Sequence, residues 1–232
     1  MPAPLRISAA AWAVAWVLGG LVFGALALAA MGVDLDGDAA LTIPQLTVTA
    51  VVAWATFAVA LFVVGNRYGT GDPLVDYCVA FRSVDLLAVP AGVVTQLALV
   101  PALYWPLQQL WPDTFSSERL EERARELVDG ATGTTAVLLV VVVAVGAPLF
   151  EELVYRGLLQ RSLAATLGPW PGLVAASVWF GVIHLAPVEL PGLVLAGFVF
   201  GLGLHLTDRL GPSILAHFAF NATGLAIAFN AT

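Results

Sequence analysis

The 232-residue chain contains no lysine, a single cysteine and few charged side chains of either sign. All nine basic residues are arginine, and sixteen acidic residues give a formal net charge of −7. This balance argues against a nucleic-acid partner, because binding a phosphate backbone needs a basic surface. Cys78 alone cannot form an intrachain disulfide or a cysteine-based zinc knuckle. An acid-rich, lysine-free composition is typical of salt-loving prokaryotes and also of GC-rich genomes.

Hydrophobic residues make up 60% of the chain and charged residues only 11%, whereas about a quarter of the residues in a soluble domain are charged. Because every backbone polar group in lipid must be paired within its own segment, long apolar runs favour helices. We therefore predict an all-α, polytopic membrane helix bundle with about seven transmembrane helices, or eight. The runs are Ser8–Met31, Gln45–Val64, Asp85–Leu110, Thr134–Leu163, Pro171–Ala186, Pro191–Leu206 and Pro212–Phe229.

The chain divides into two parts by composition. Residues 1–133 carry membrane helices and one charged segment, Ser116–Asp129, while residues 134–232 hold the polar groups that point to chemistry. The charged segment has apolar residues on one helical face, so we expect an amphipathic helix along the membrane surface. That face consists of Leu120, Ala124, Leu127 and Val128.

The distribution of arginines predicts an orientation in the cell membrane. It places the N-terminus and three connections, Asn66–Val84, Ala164–Trp170 and Asp208–Gly211, on the cytoplasmic side. The segment Ser116–Asp129 opposes this assignment, since it carries three arginines of its own.

Several ionisable and amide side chains lie inside the last apolar runs. A charged side chain in the bilayer centre costs at least ~2.5–3.5 kcal/mol, so such residues usually serve a function. At the rise of an α-helix, four of these residues from three runs lie roughly 8–20 Å from the same membrane face. We predict that they converge on one site: Glu151, His184, His217 and Asn221.

Helical spacing separates the two adjacent glutamates. Glu152 and Arg156 are four residues apart with the acid first, which favours a structural ion pair. Glu151 is rotated about 100° from Glu152 and is left for chemistry. Pro148, just upstream, is expected to kink the helix and admit water. Phe180 shares a helix face with His184 and is expected to pack beside the site.

These residue types supply the parts of peptide-bond hydrolysis. Glu151 can act as the general base, with His184 orienting the attacking water. His217 and Asn221 can donate hydrogen bonds to the oxyanion. The same Glu151, His184 and His217 could instead hold zinc or another divalent metal ion with water as the fourth ligand. The residue pattern is equally compatible with a metal-bound and a metal-free site.

Three motifs in this order carry a specific resemblance. EELVYR at Glu151–Arg156 is similar to an EExxxR signature, WFGVIH to FxxxH ending at His184, and HFAFN to HxxxN at His217 and Asn221. Together they resemble the CAAX-protease and bacteriocin-processing family of intramembrane endopeptidases, also called the type II CAAX prenyl protease or Abi family.

The resemblance implies a multi-helix membrane fold and cleavage of membrane-associated or C-terminal peptides, with an active site that opens toward the cytoplasmic side. It implies that Glu151 and His184 activate water, that His217 and Asn221 stabilise the oxyanion, and that Glu152, Arg156 and Phe180 support them. Metallo and metal-free mechanisms are both proposed for the family. The expected partners are membrane lipids and a peptide substrate; the cleavage motif and oligomeric state are not predicted.

Two other classes of function use the same residues. A proton-coupled transporter would relay protons through Glu151 and the histidines, but it would usually show a repeated architecture, and the sequence has no convincing repeat. A catalytically silent scaffold or immunity protein would have no need of the intact set of polar residues. Other protease chemistries lack their motifs, since there is no GxSG serine, no intramembrane aspartate pair and no HExxH.

Overall fold

The computed structural model describes residues 2–35 and 40–231, without the side chains of Arg123 and Ala124. In these residues the regular structure is helical, with no strand. Besides a single turn at Pro73–Asp76, we number eight helices: α1 (Leu5–Ala30), α2 (Ile43–Tyr68), α3 (Ser83–Leu110), α4 (Ser117–Val128), α5 (Thr134–Leu167), α6 (Pro169–Ile183), α7 (Leu190–Thr207) and α8 (Gly211–Ala231).

Six of the described helices, α1, α2, α3, α5, α7 and α8, are long and apolar enough to cross a membrane. The remaining apolar helix, α6, has 15 residues and reaches only about 22 Å. The predicted all-α polytopic bundle is confirmed, and the fifth apolar run forms the short helix. Large apolar side chains on α1 and α2, such as Leu26 and Phe62, are exposed on the outside of the bundle, as expected for contact with lipid.

Local sequence signals explain several helix ends. Thr42 and Gln45 form a capping box at the start of α2, where Pro44 occupies the first turn. The side chain of Ser116 accepts a hydrogen bond from the backbone N–H of Arg119 at the start of α4. Gly168 ends α5 at φ 96°, a conformation that favours glycine, and Pro169 then begins α6.

Segments of π-helix interrupt α3 and α5. In α3 the segment Thr95–Leu99 comes just before Pro101, and in α5 the segment Val141–Gly146 comes just before Pro148. Proline lacks a backbone N–H and clashes with the preceding turn, so the wider turn accommodates it. A second π-segment, Glu152–Gln160, follows at the candidate site.

Small residues allow close approach between the helices around the site. A methyl group added to Gly197 of α7 would lie 3.0 Å from the Phe180 ring of α6. One added to Gly92 of α3 would lie 2.1 Å from the carbonyl oxygen of Ala216 in α8. The main apolar core gathers buried residues of α5, α6, α7 and α8. The four helices that carry the predicted site and its neighbours therefore pack directly on one another.

The amphipathic helix predicted between the third and fourth runs is present as α4. Leu120 and Leu127 are half-buried and Val128 is buried, while Glu121 and Arg125 form an exposed ion pair. Ala124, predicted on the same apolar face, has a side chain outside the described part. The helix packs against α8, so it covers one side of the helix that carries His217 and Asn221.

Candidate active site

A fully buried ion pair forms the base of the site. The Arg156 Nη1 donates to Glu152 Oε1 at 2.8 Å, and both side chains are at most 1% exposed. The Nη2 of Arg156 donates to the carbonyl oxygen of Gly197 at 2.9 Å. This arrangement confirms the predicted Glu152–Arg156 pair. It also ties α5 to α7, because breaking a buried pair would leave an uncompensated charge.

Two aromatic rings enclose the guanidinium of Arg156. Its Cζ lies 4.4 Å from the centroid of the Phe180 ring and 5.5 Å from that of Phe200. A cation over an aromatic face is attracted by the ring quadrupole, more strongly when desolvated. Phe180 and Phe200 therefore stabilise the charged pair as well as filling the core.

His217 bonds to the same carboxylate oxygen as Arg156. Its Nδ1 lies 2.8 Å from Glu152 Oε1, which already accepts from Arg156, and the imidazole stacks on Phe200 at 4.4 Å between centroids. An ionised carboxylate can only accept hydrogen bonds. The hydrogen of the His217–Glu152 bond therefore lies on the imidazole, and we assign it to Nδ1. In the neutral ring Nε2 then carries a lone pair, and it lies 3.9 Å from Glu151 Oε2.

The two adjacent glutamates have different surroundings. The side chain of Glu152 is 0% exposed, whereas that of Glu151 is 27% exposed. Their rotation around the helix accounts for this, since neighbouring positions point about 100° apart. Glu151 thus faces His217 from the open side of the site, without contacting Arg156 through an ion pair.

His184 lies at the C-terminal end of α6. Its half-buried ring has Nδ1 2.6 Å from the carbonyl oxygen of Phe180, so Nδ1 donates and Nε2 remains an acceptor in the neutral ring. The Phe180 ring contacts His184 edge-on at 4.7 Å and His217 at 5.8 Å between centroids. The two imidazole centroids can be no farther apart than the sum of those distances. Both histidines therefore pack against the ring of Phe180.

Asn221 connects α8 to α5 beside the site. It lies one turn after His217, and its amide Nδ2 donates to the carbonyl oxygen of Val143 at 2.8 Å. Val143 belongs to the π-segment before Pro148, where the regular hydrogen-bond ladder is interrupted. The bond uses one of the two amide N–H groups, so Asn221 has a structural role whatever else it does.

The structure joins most of the predicted residues through direct contacts. Glu151, Glu152, Arg156 and His217 form one cluster, and Phe180 links His184 to it. Sequence reasoning missed Phe200, which stacks on His217. The small residues of α7, Ala196, Gly197 and Gly201, are a signal for close helix packing that could have drawn attention to this face.

The predicted metal-binding alternative does not match the arrangement of side chains. Among the residues that the structure describes, no group of three or more His, Cys, Asp or Glu side chains is placed to hold a metal ion. Glu151, His184 and His217 therefore do not form a ready ligand set in this conformation.

The fold defines a multi-pass helical membrane protein with a buried acid–histidine site. Residues 133–223 match the family model described as type II CAAX prenyl endopeptidase Rce1-like, and this stretch contains every motif residue. No curated protein and no solved structure matches the chain. The match supports, over this stretch of the chain, the family that the three motifs suggested.

Proposed function

We propose that the chain is an intramembrane endopeptidase in which Glu151 activates water for attack on a peptide bond. The observation that carries this proposal is the facing pair of Glu151 Oε2 and His217 Nε2, 3.9 Å apart, above the buried Glu152–Arg156 pair. The substrate is a peptide within the membrane or a C-terminal peptide associated with it.

The spacing of the facing pair suits a shared water molecule. Atoms 3.9 Å apart are too distant to bond directly, but one water between them can donate to Glu151 Oε2 and accept from Nε2 when His217 is imidazolium. Glu151 can then take a proton as the water oxygen attacks the carbonyl carbon, and pass it to the leaving nitrogen as the C–N bond breaks. Glu152 is less suited to this role, because its side chain is 0% exposed whereas that of Glu151 is 27% exposed.

The histidines and Asn221 supply the remaining roles. His184 Nε2 is an acceptor that can orient the attacking water, as its Nδ1 is fixed by the Phe180 carbonyl. His217 can donate to an oxyanion only from Nε2, and therefore only as imidazolium, whose charge the Glu152 carboxylate stabilises. The second N–H of Asn221 can donate to the same oxyanion. Removing one such donor typically costs about 2.7–4 kcal/mol of transition-state stabilisation.

The experiment that tests this function also identifies substrates. Peptide termini in membranes are compared between cells with the wild-type protein and cells with the Glu151→Gln variant, at matched protein levels. We expect a set of new termini that appears only with the wild type. Identical termini in both strains would contradict the proposal.

A further inference from the structure

A groove lies between α3, α4 and α8. It consists of two adjoining cavities of about 300 and 560 Å³ that share five lining residues. The shared residues are Gln96, Leu120, Glu121, Phe220 and Ile227. No step of the proposed reaction uses any of them.

The groove leads to the candidate site through α8. Asn221 lines the smaller cavity, next to Phe220. The Phe220 ring packs edge-on against Phe200 at 5.5 Å, and Phe200 stacks on His217. A chain segment lying in the groove would therefore reach Asn221, with the rings of Phe220 and Phe200 between it and His217.

Any peptide that enters such a groove needs partners for its backbone. Inside a membrane, unpaired N–H and C=O groups have no bulk water to bond, so the wall must supply donors and acceptors. The polar residues on the smaller cavity are Gln96, Glu121, Arg125 and Asn221. Glu121 and Arg125 are bonded to each other on α4, which leaves two neutral amides facing the groove.

The Gln96 side chain lines both cavities, and its amide can bond to a peptide backbone. It lies half-buried near the middle of α3, where a polar side chain is costly. Within residues 2–35 and 40–231 we find no hydrogen-bond partner for its amide. A methyl group added to Gly224, three residues after Asn221, would lie 3.6 Å from Gln96 Nε2, so the glycine leaves space beside the amide.

The outer cavity extends this surface along α3. Gln96, Val100, Tyr104 and Gln108 follow at intervals of four residues, share one face, and line it. The Tyr104 hydroxyl is already engaged, donating to the Val188 carbonyl and accepting from the Gly192 N–H. At the outer end Gln108 approaches Ser117 of α4. The path thus runs from the start of α4 inward to Gln96 and Asn221.

We propose that Gln96 is a substrate-binding residue: its amide hydrogen-bonds the backbone of an extended peptide that enters between α3, α4 and α8. This inference rests on the proposed function, since it names the route by which the substrate reaches that same site. Gln96 contributes to binding in the ground state and the transition state alike, and takes no part in proton transfer.

The test uses the full-length protein in liposomes. The probe is a synthetic peptide that spans the most abundant Glu151-dependent cut found in cell membranes. Gln96→Met keeps the length of the side chain and removes the amide, so we expect KM to rise about 5- to 10-fold with kcat changed less than about twofold. Gln109→Met is the matched control, because Gln109 is exposed on the same helix and lines neither cavity. We expect its KM to change less than about twofold.

A second variant narrows the groove without removing the amide. Gly224→Ala places its methyl group against Gln96 Nε2 and is compatible with the helix, so we expect a raised KM with unchanged thermal unfolding. An unchanged KM in Gln96→Met would overturn the inference, and so would equal changes of KM in Gln96→Met and Gln109→Met. If Gln96→Met does not fold, an unchanged KM in Gly224→Ala would overturn it. A wild type that makes no Glu151-dependent cut in cell membranes overturns the proposed function and this inference together. If the wild type cuts the probe but Gln96→Met has the same KM, only the inference about the groove is overturned.

Discussion

At the scale of single residues, the two neighbouring carboxylates of the site differ in what they contact. Glu152 accepts from Arg156 and His217 and is sealed from solvent, so its charge stabilises the guanidinium of Arg156 and the Nδ1–H of His217. Glu151 is partly exposed and faces the His217 Nε2 across a gap. The i,i+4 spacing was enough to predict the Glu152–Arg156 pair. The Glu152–His217 bond was not predictable, because it depends on where α8 docks against α5.

The Glu152→Gln variant tests the positioning role of that carboxylate. The amide keeps the shape and an acceptor oxygen but loses the charge that stabilises Arg156 and a His217 imidazolium. We expect kcat to fall about 10- to 100-fold, the size typical for partners that orient a reacting group, with KM little changed. Initial rates of the purified protein measure this.

The matched control for this variant is Glu118→Gln on the exposed first turn of α4, which should cut at the wild-type rate. A Glu152→Gln protein with wild-type kcat would show that the charge of Glu152 does not act through His217. A rise in KM alone would point to a disturbed substrate groove instead.

At the scale of helices, glycine contacts set the position of α8 and hence of His217 and Asn221. Gly92 of α3 lies directly against the backbone of Ala216, the residue before His217. Apolar runs predicted the spans well, because burial in lipid dominates helix formation there. The π-segments were not predicted, although prolines marked the irregular places, since the extra residue in a turn depends on what packs beside it.

The Gly92→Ala variant tests this close approach. Its methyl group would lie 2.1 Å from the Ala216 carbonyl oxygen, so α3 and α8 must separate. We expect destabilisation of about 1–3 kcal/mol, the usual cost of overpacking, and a lower thermal unfolding temperature in detergent.

Gly20→Ala in α1 is the control for this substitution, because a methyl group there meets nothing within 4 Å. It should be neutral or stabilise by up to about 1 kcal/mol, as alanine favours a helix. Equal melting of the two variants would contradict the packing of α3 on α8.

At the scale of the whole molecule, the site extends across the middle of the bundle, since His217 follows the start of α8 by six residues whereas His184 lies at the end of α6. Helix α6 begins after the turn at Gly168 and ends at His184, so these two points face opposite ends. The connection after His184 borders a cavity of about 480 Å³ that α4 also lines. The arginine distribution predicts a cytoplasmic Ala164–Trp170 turn, while the family resemblance predicts a site that opens to the cytoplasm. Both expectations stay predictions, since they depend on which end of the bundle faces the cytoplasm.

Cysteine labelling in intact cells tests the predicted orientation. In a Cys78→Ser background, single cysteines replace Glu118 on α4 and Leu167 at the end of α5, both exposed. A membrane-impermeant maleimide should label one position in intact cells and the other only after permeabilisation. Labelling of both positions from the same side would contradict the topology.

The measurement that tests the central claim most directly is the cleavage rate of purified protein in liposomes, with wild type, Glu151→Gln and His184→Ala compared on one peptide. Acid–base catalysis typically contributes about 10²- to 10⁴-fold, so we predict that each variant loses at least about 100-fold in rate while keeping its helical content and thermal unfolding. A folded Glu151→Gln protein that cuts the peptide at the wild-type rate would contradict the assignment of Glu151 as the base.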